Sequence, residues 1–322
     1  MDKTHAHSPD PDSDPAESRS RLAVRPPSPL DLIWPFSELN QQGRDQHLRL
    51  VSATFLGVFP LLVVTVISMV PILTGLGYWL LAFYFAAVWA AFFRFLLPES
   101  RPGWRESLGF FFGVGISSVL ALQFIYRIPG LARFLSWSFS GDAWESVVGN
   151  WLGIGFPEEL VKSIPLFIYT FRHRTSLNMA TIIYLGLLSG LGFGIYEGVE
   201  YQKNNNFELA DNPQEYYLLN VLRLTALPFL HAIWSGLGAC FLGLLVKCGP
   251  RTWYLAVLWL IIPGLLHGLF NHFSLSSANL GMAILSVLCF NVYTTRVEAI
   301  ERGFSSQSNQ PGRPDPCDNT TP

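Results

Sequence analysis

Charged side chains make up only 14% of these 322 residues, against about 25% in an ordinary soluble domain. They are also missing from long stretches. Charges collect at the two ends and in short gaps, while apolar runs of about 20 residues, the length needed to cross hydrocarbon, fill the middle. That distribution excludes a large soluble domain. There is no cluster of Lys and Arg and the net charge is −2, so nothing in the chain suits a nucleic acid. The four cysteines show no metal-type CxxC spacing, which leaves no thiolate zinc site. No HExxH helix is present to force zinc, and no internal repeat of the transporter kind is visible. The first 30 residues lack the apolar core of a signal peptide; rich in Ser, Pro and Asp, they are expected to form a disordered tail.

What is present is the pattern of an all-α, polytopic membrane helix bundle with about eight transmembrane helices and no soluble domain. The apolar runs place spans near 51–70, 75–97, 108–127, 146–170, 178–200, 218–247, 253–273 and 278–295. Residues 128–142 between the third and fourth spans suit an amphipathic helix lying in the interface. Residues 1–48 and 298–322 are expected to be disordered tails around a transmembrane domain at 49–297, with a functional core at about 146–273. Eleven Lys and Arg fall near the span ends on one face and four, Arg127, Arg133, Lys203 and Arg223, on the other. The excess of positive charge puts both termini in the cytoplasm of a multi-pass protein, expected in the plasma membrane.

Within this apolar chain the fourth span holds Phe156-Pro157-Glu158-Glu159-Leu160-Val161-Lys162. An ionisable side chain costs roughly 2.5–3.5 kcal/mol at the centre of a membrane helix, so three in five residues mark a functional element. Glu158 and Lys162 are four apart and can pair on one face. Pro157, with Gly153 and Gly155, is expected to bend or open the helix just before the glutamates. Glu197 and Glu200 stand three apart in the fifth span, His231 lies in the sixth, and His267 and Asn271 stand four apart in the seventh. Counted along the helices at about 1.5 Å per residue, all of these fall in the outer half of the membrane.

The chemistry available to such a set is water activation. Glu158 suits a general base, with Glu159 or Lys162 as support, although the two carboxylates can exchange roles. His231 and His267 can bind metal, relay a proton or donate to an oxyanion, and Asn271 is an uncharged oxyanion donor. Arg223 is a candidate counter-ion for Glu197 or Glu200, the latter a supporting residue near the interface. Trp234 and Phe193 read as packing. No cofactor is fixed by the pattern; a divalent ion such as Zn2+ on Glu159, Glu197, His231 and His267 is one option.

Glu158-Glu159-x-x-Lys162, Phe193-x-x-x-Glu197, Pro228-x-x-His231-Ala-x-Trp234 and His267-x-x-x-Asn271 together resemble the PrsW protease family, which is grouped with the type II CAAX-processing endopeptidases and the Abi proteins. The resemblance covers about residues 150–273, with the four motifs in order on separate helices. It implies a membrane endopeptidase acting on membrane-anchored proteins within or beside the bilayer. It also marks Glu158, Glu159, Glu197, His231, His267 and Asn271 as the residues to test. The chain departs from the CAAX enzymes in carrying Glu197 where they have His, and from many PrsW-type sequences in carrying Asn271 where they have Asp. Metal-dependent and glutamate mechanisms both stay open. A proton-coupled transporter and a non-catalytic membrane scaffold are the competing classes.

Overall fold

The computed structural model of the chain describes residues 74–204, 213–248, 254–274 and 277–307, with 58–60, 62, 63, 66 and 252 between them. The chain divides into two units at residue 61, and the architecture below is that of the second, Leu62–Pro322. Of the regions expected as tails, 1–48 and 298–322, residues 1–48 and 308–322 lie outside the described residues, as do most of the first expected span and residues 205–212.

Every regular element among the described residues is helical. Helix α1 spans Thr74–Leu96. Helix α2, Trp104–Ile125, loosens into a π-helical stretch at Gly109–Val114. Helix α3, Pro129–Trp137, starts on a proline that needs no amide partner in a first turn, and it occupies the segment expected to lie in the interface. Helix α4, Ala143–Val148, is capped by Asp142, whose Oδ1 accepts from the amides of Trp144 and Glu145 at 2.9 Å each. It runs through a π-helical stretch, Gly149–Gly155, into α5, Phe156–Arg172. Helices α6, Met179–Asn204, α7, Pro213–Cys248, α8, Tyr254–His272, and α9, Ser277–Gln307, complete the bundle.

Six helices among the described residues are long and apolar enough to cross a membrane, and they match six of the eight expected spans. The expected fourth span, 146–170, is helical throughout but is not one of the six. Its α-helical part is 17 residues long and carries Glu158, Glu159 and Lys162, so it is not apolar enough by itself. The last helix continues ten residues past 297, where the tail was expected to begin.

Helices α6 and α7 form the centre. Their most apolar windows are 89% and 78% buried, against 22–33% for the other four candidate spans. A Cβ on Gly190 of α6 would collide with the His231 carbonyl of α7, so only a glycine allows this approach. Gly155 does the same between α5 and α8, where a Cβ would strike the Gly264 carbonyl. Far from these crossings, the start of α6 is pinned by Glu301. Its carboxylate accepts from the Met179 amide at 2.9 and 3.1 Å and from Lys247 Nζ at 2.8 Å.

Candidate active site

The π-helical stretch and Pro157 deliver Glu158 and Glu159 at the first turn of α5, facing α7 and α8. The bend expected from Pro157 and its neighbouring glycines thus takes the form of a π-helical segment, a common feature of functional helices. Glu158 is 6% exposed, Glu159 2%, and Lys162, His231 and His267 are fully buried.

Lys162 pairs with Glu159 at 2.5 Å, three residues back, rather than with Glu158, four back, as the spacing suggested. Its ammonium also lies 2.9 Å from His231 Nδ1 and 4.7 Å from the centre of the Phe193 ring. Glu159 is occupied on all sides: besides Lys162 it meets His267 Nδ1 at 3.2 Å and accepts from Ser235 Oγ at 3.2 Å. The His267 ring is stacked on Trp234 with 4.2 Å between centroids and 11° between planes. Trp234 is itself held by a 2.9 Å hydrogen bond from Nε1 to Ser286 Oγ.

The remaining polar atoms of the cluster are not occupied. Glu158 Oε2, Glu197 Oε2, His231 Nε2 and His267 Nε2 are buried and have no hydrogen-bond partner. They nevertheless crowd together: His267 Nε2 lies 3.8 Å from Glu158 Oε2, and His231 Nε2 approaches Glu197 Oε2 to 2.5 Å without hydrogen-bond geometry. Four unpaired polar atoms at one spot are costly in a protein interior unless something binds there.

Glu158, His231 and His267 each offer a ligand atom within 4.8 Å of the other two. Carboxylate oxygen with imidazole nitrogen is a donor set suited to a divalent transition ion. The charges agree. Three carboxylates, Glu158, Glu159 and Glu197, share a single buried ammonium, Lys162. With neutral imidazoles the carboxylates outnumber Lys162 and the nearby Arg223 together, an excess of negative charge that a divalent cation would relieve. His267 has the arrangement common among metal-bound histidines, with Nδ1 directed at a carboxylate and Nε2 free.

The family model of the PrsW family intramembrane metalloproteases matches residues 101–296. The chain belongs to the PrsW family. No curated protein and no solved structure matches it. As a PrsW member the chain is an integral membrane peptidase, and membership favours that class over transporter and scaffold. All four sequence motifs fall inside the matched region.

A cavity of about 340 Å³ reaches the PrsW cluster from one end of the bundle. Its walls are Val119, Leu122, Gln123 and Tyr126 at the end of α2, Glu158 of α5, and Phe193, Tyr196, Glu197, Glu200, Tyr201 and Asn204 of α6. Glu158 and Glu197 are therefore the carboxylates that face open space, while Glu159 sits behind them.

Not every expected residue joins the cluster. Asn271, one turn beyond His267, is half-buried and makes no hydrogen bond to it. Glu200 stands on the cavity wall, 3.8 Å from Lys203 and accepting from Asn204 Nδ2 at 3.1 Å. Arg223 lies 4.0 Å over the Tyr201 ring and within electrostatic reach of Glu197, without a direct ion pair to either glutamate. Two contributors escaped the sequence reading. Ser235 holds Glu159, and its only signal is a four-residue spacing from His231. Trp234, taken as packing, orients His267.

Proposed function

We propose that this PrsW peptidase hydrolyses peptide bonds of membrane-anchored proteins with a water activated between Glu158, Glu197, His231 and His267. The convergence from four helices of four atoms without hydrogen-bond partners, two of them on the glutamates that line one cavity, carries the reading. Glu158, His231 and His267 would hold a divalent ion such as Zn2+. When bound, such an ion supplies a Lewis acid and lowers the pKa of water. Glu197, open to the cavity, takes the proton as the water oxygen attacks the carbonyl carbon. It then returns that proton to the amine as the C–N bond breaks. Glu159 holds His267 in the tautomer with its lone pair on Nε2, and Lys162 neutralises Glu159. Asn271 is given no step.

One contact favours a second mechanism. An ammonium on Lys162 donating to His231 Nδ1 leaves the ring proton on Nε2, facing Glu197. In that state His231 is a donor and not a ligand, and the two glutamates handle water without metal. Metal analysis of the purified protein, with cleavage measured before and after chelation, separates the two. Stoichiometric metal with loss of cleavage on its removal supports the first, and full cleavage by metal-free protein supports the second.

The bias of basic residues toward the opposite span ends supports a cavity mouth on the extracytoplasmic side, with both termini in the cytoplasm of a plasma-membrane protein. Substrates are then membrane-anchored proteins cut near their outer border. Labelling of a cysteine placed at Asn204 by an impermeant reagent on intact cells tests this; protection there and labelling at Arg174→Cys would reverse the orientation.

A further inference from the structure

Hydrolysis at this site needs a hydrogen-bond donor for the carbonyl oxygen as it becomes an oxyanion, and the motif residue expected for that task, Asn271, makes no hydrogen bond to the cluster. The cavity wall offers another. Tyr126 follows the last residue of α2 and lines the same cavity as Glu158 and Glu197. It lies within electrostatic reach of both carboxylates and of Tyr201. Its ring packs on the cluster formed by Leu122, Val161 and Phe193. Phe193 in turn lies against Lys162 and 5.1 Å from the His231 ring, so the phenol is anchored to the catalytic helices.

The hydroxyl of Tyr126 makes no hydrogen bond among the described residues. Tyr196 and Tyr201 on the same wall share that freedom, but only Tyr126 is packed on Val161 and Phe193, while Tyr169 and Tyr184 elsewhere use theirs. Tyr169 donates to Glu106 Oε1 at 2.6 Å, and Tyr184 donates to the Ala90 carbonyl at 3.4 Å. Tyr126 keeps its donor free beside two glutamates while its ring is held by packing. A fixed ring with an unused O–H is a preorganised donor, and such donors are most effective where water is excluded. Tyr201 shares the wall and lies within electrostatic reach of the same two carboxylates, but its ring is covered by Arg223 rather than packed on the side chains of α5 and α6.

We propose that Tyr126 is a catalytic residue of this protease, whose phenolic O–H donates to the oxyanion of the tetrahedral intermediate. The phenol keeps its proton throughout; the proton taken from water travels by Glu197. This inference rests on the hydrolytic reading above and is tested with it.

Full-length protein is reconstituted in phosphatidylcholine–phosphatidylglycerol vesicles with a single-span reporter protein carrying a fluorophore outside its span. Tyr126→Phe is expected to lower kcat about 100-fold, the usual loss of one oxyanion donor, with KM and thermal unfolding unchanged. Binding of a phosphinic peptide, which mimics the tetrahedral anion, should weaken in the same proportion. Replacing Tyr126 by 3-fluorotyrosine, which keeps both ring and O–H, should restore turnover. Tyr201→Phe should lower kcat less than Tyr126→Phe does, and a larger loss there would overturn the assignment of the donor to Tyr126. Wild-type turnover in Tyr126→Phe while Glu197→Gln is inactive would overturn this inference alone, as would a loss confined to KM or one that 3-fluorotyrosine fails to restore. A wild-type protein that leaves the reporter intact would overturn the hydrolytic mechanism, and this inference with it.

Discussion

The described residues include two polar clusters, one at each end of α6, the first partly buried and the second almost wholly enclosed. At the start of α6, Glu301 accepts from Lys247 and from the Met179 amide, so charge meets charge and a helix start is satisfied. Toward the other end, Glu159 and Lys162 repeat that arrangement, but Glu158, Glu197, His231 and His267 keep four atoms without hydrogen-bond partners. Both clusters take ionisable groups out of water, partly at Lys247 and Glu301 and almost wholly at Glu159 and Lys162, so burial differs in degree and does not by itself reveal which cluster is functional. The unpaired atoms do. A network that closes on itself stabilises the fold, whereas one left open is held for a ligand or a reaction.

The contrast can be broken from either side, and the largest effect is expected at the open cluster. Glu197→Gln keeps the size of the side chain but removes the base. It should reduce cleavage of a membrane reporter by roughly 10²–10⁴-fold, with membrane abundance and thermal unfolding unchanged. Residual activity above a tenth of wild type would remove Glu197 from the mechanism. Lys162→Met takes away the only buried ammonium of the site and leaves Glu159 uncompensated. The expected cost is about 3–5 kcal/mol of stability, read as a lower unfolding midpoint in detergent together with loss of activity. A midpoint equal to wild type would show that Glu159 has another partner.

Glu159→Gln touches the part of the cluster that is already closed. Its carboxylate orients His267, so a fall of about 10–100-fold in metal affinity is expected, measured by competition with a chromogenic chelator. An affinity equal to wild type would separate Glu159 from the metal reading. The smallest functional effect is predicted at the other end of the bundle. Glu301→Gln should lower stability by about 1 kcal/mol, the low end of the cost of a poorly satisfied group because this pair is only partly buried, while turnover stays at the wild-type value. A loss of turnover without loss of stability would mean that the two ends are coupled.

Much of this was legible in the sequence because hydrocarbon penalises charge wherever it sits. Glu158, Glu159, Lys162, Glu197, His231 and His267 stand out from apolar runs on that ground alone, and the structure brings all six together. Lys162 shows where such reading stops. Spacings of three and four residues both put a carboxylate on its face, and the choice of Glu159 follows from where His231 and Phe193 lie on other helices. Ser235 and Tyr126 were hidden for a different reason. A serine in a membrane helix and a tyrosine at the end of one are both ordinary, and only their neighbours make them part of a site. Asn271 illustrates the reverse, since a four-residue spacing from His267 put it on the right helix and did not give it a hydrogen bond to the cluster.

From its sequence alone this protein is determined to be a helical membrane protein with its ionisable residues grouped for chemistry, because length, hydropathy and the cost of buried charge are properties of each segment taken singly. Which carboxylate is closed off and which is open was decided only by tertiary structure. Glu158 and Glu159 are adjacent and chemically identical, and they differ in that α7 and α8 bring Ser235 and His267 to one of them while the cavity reaches the other.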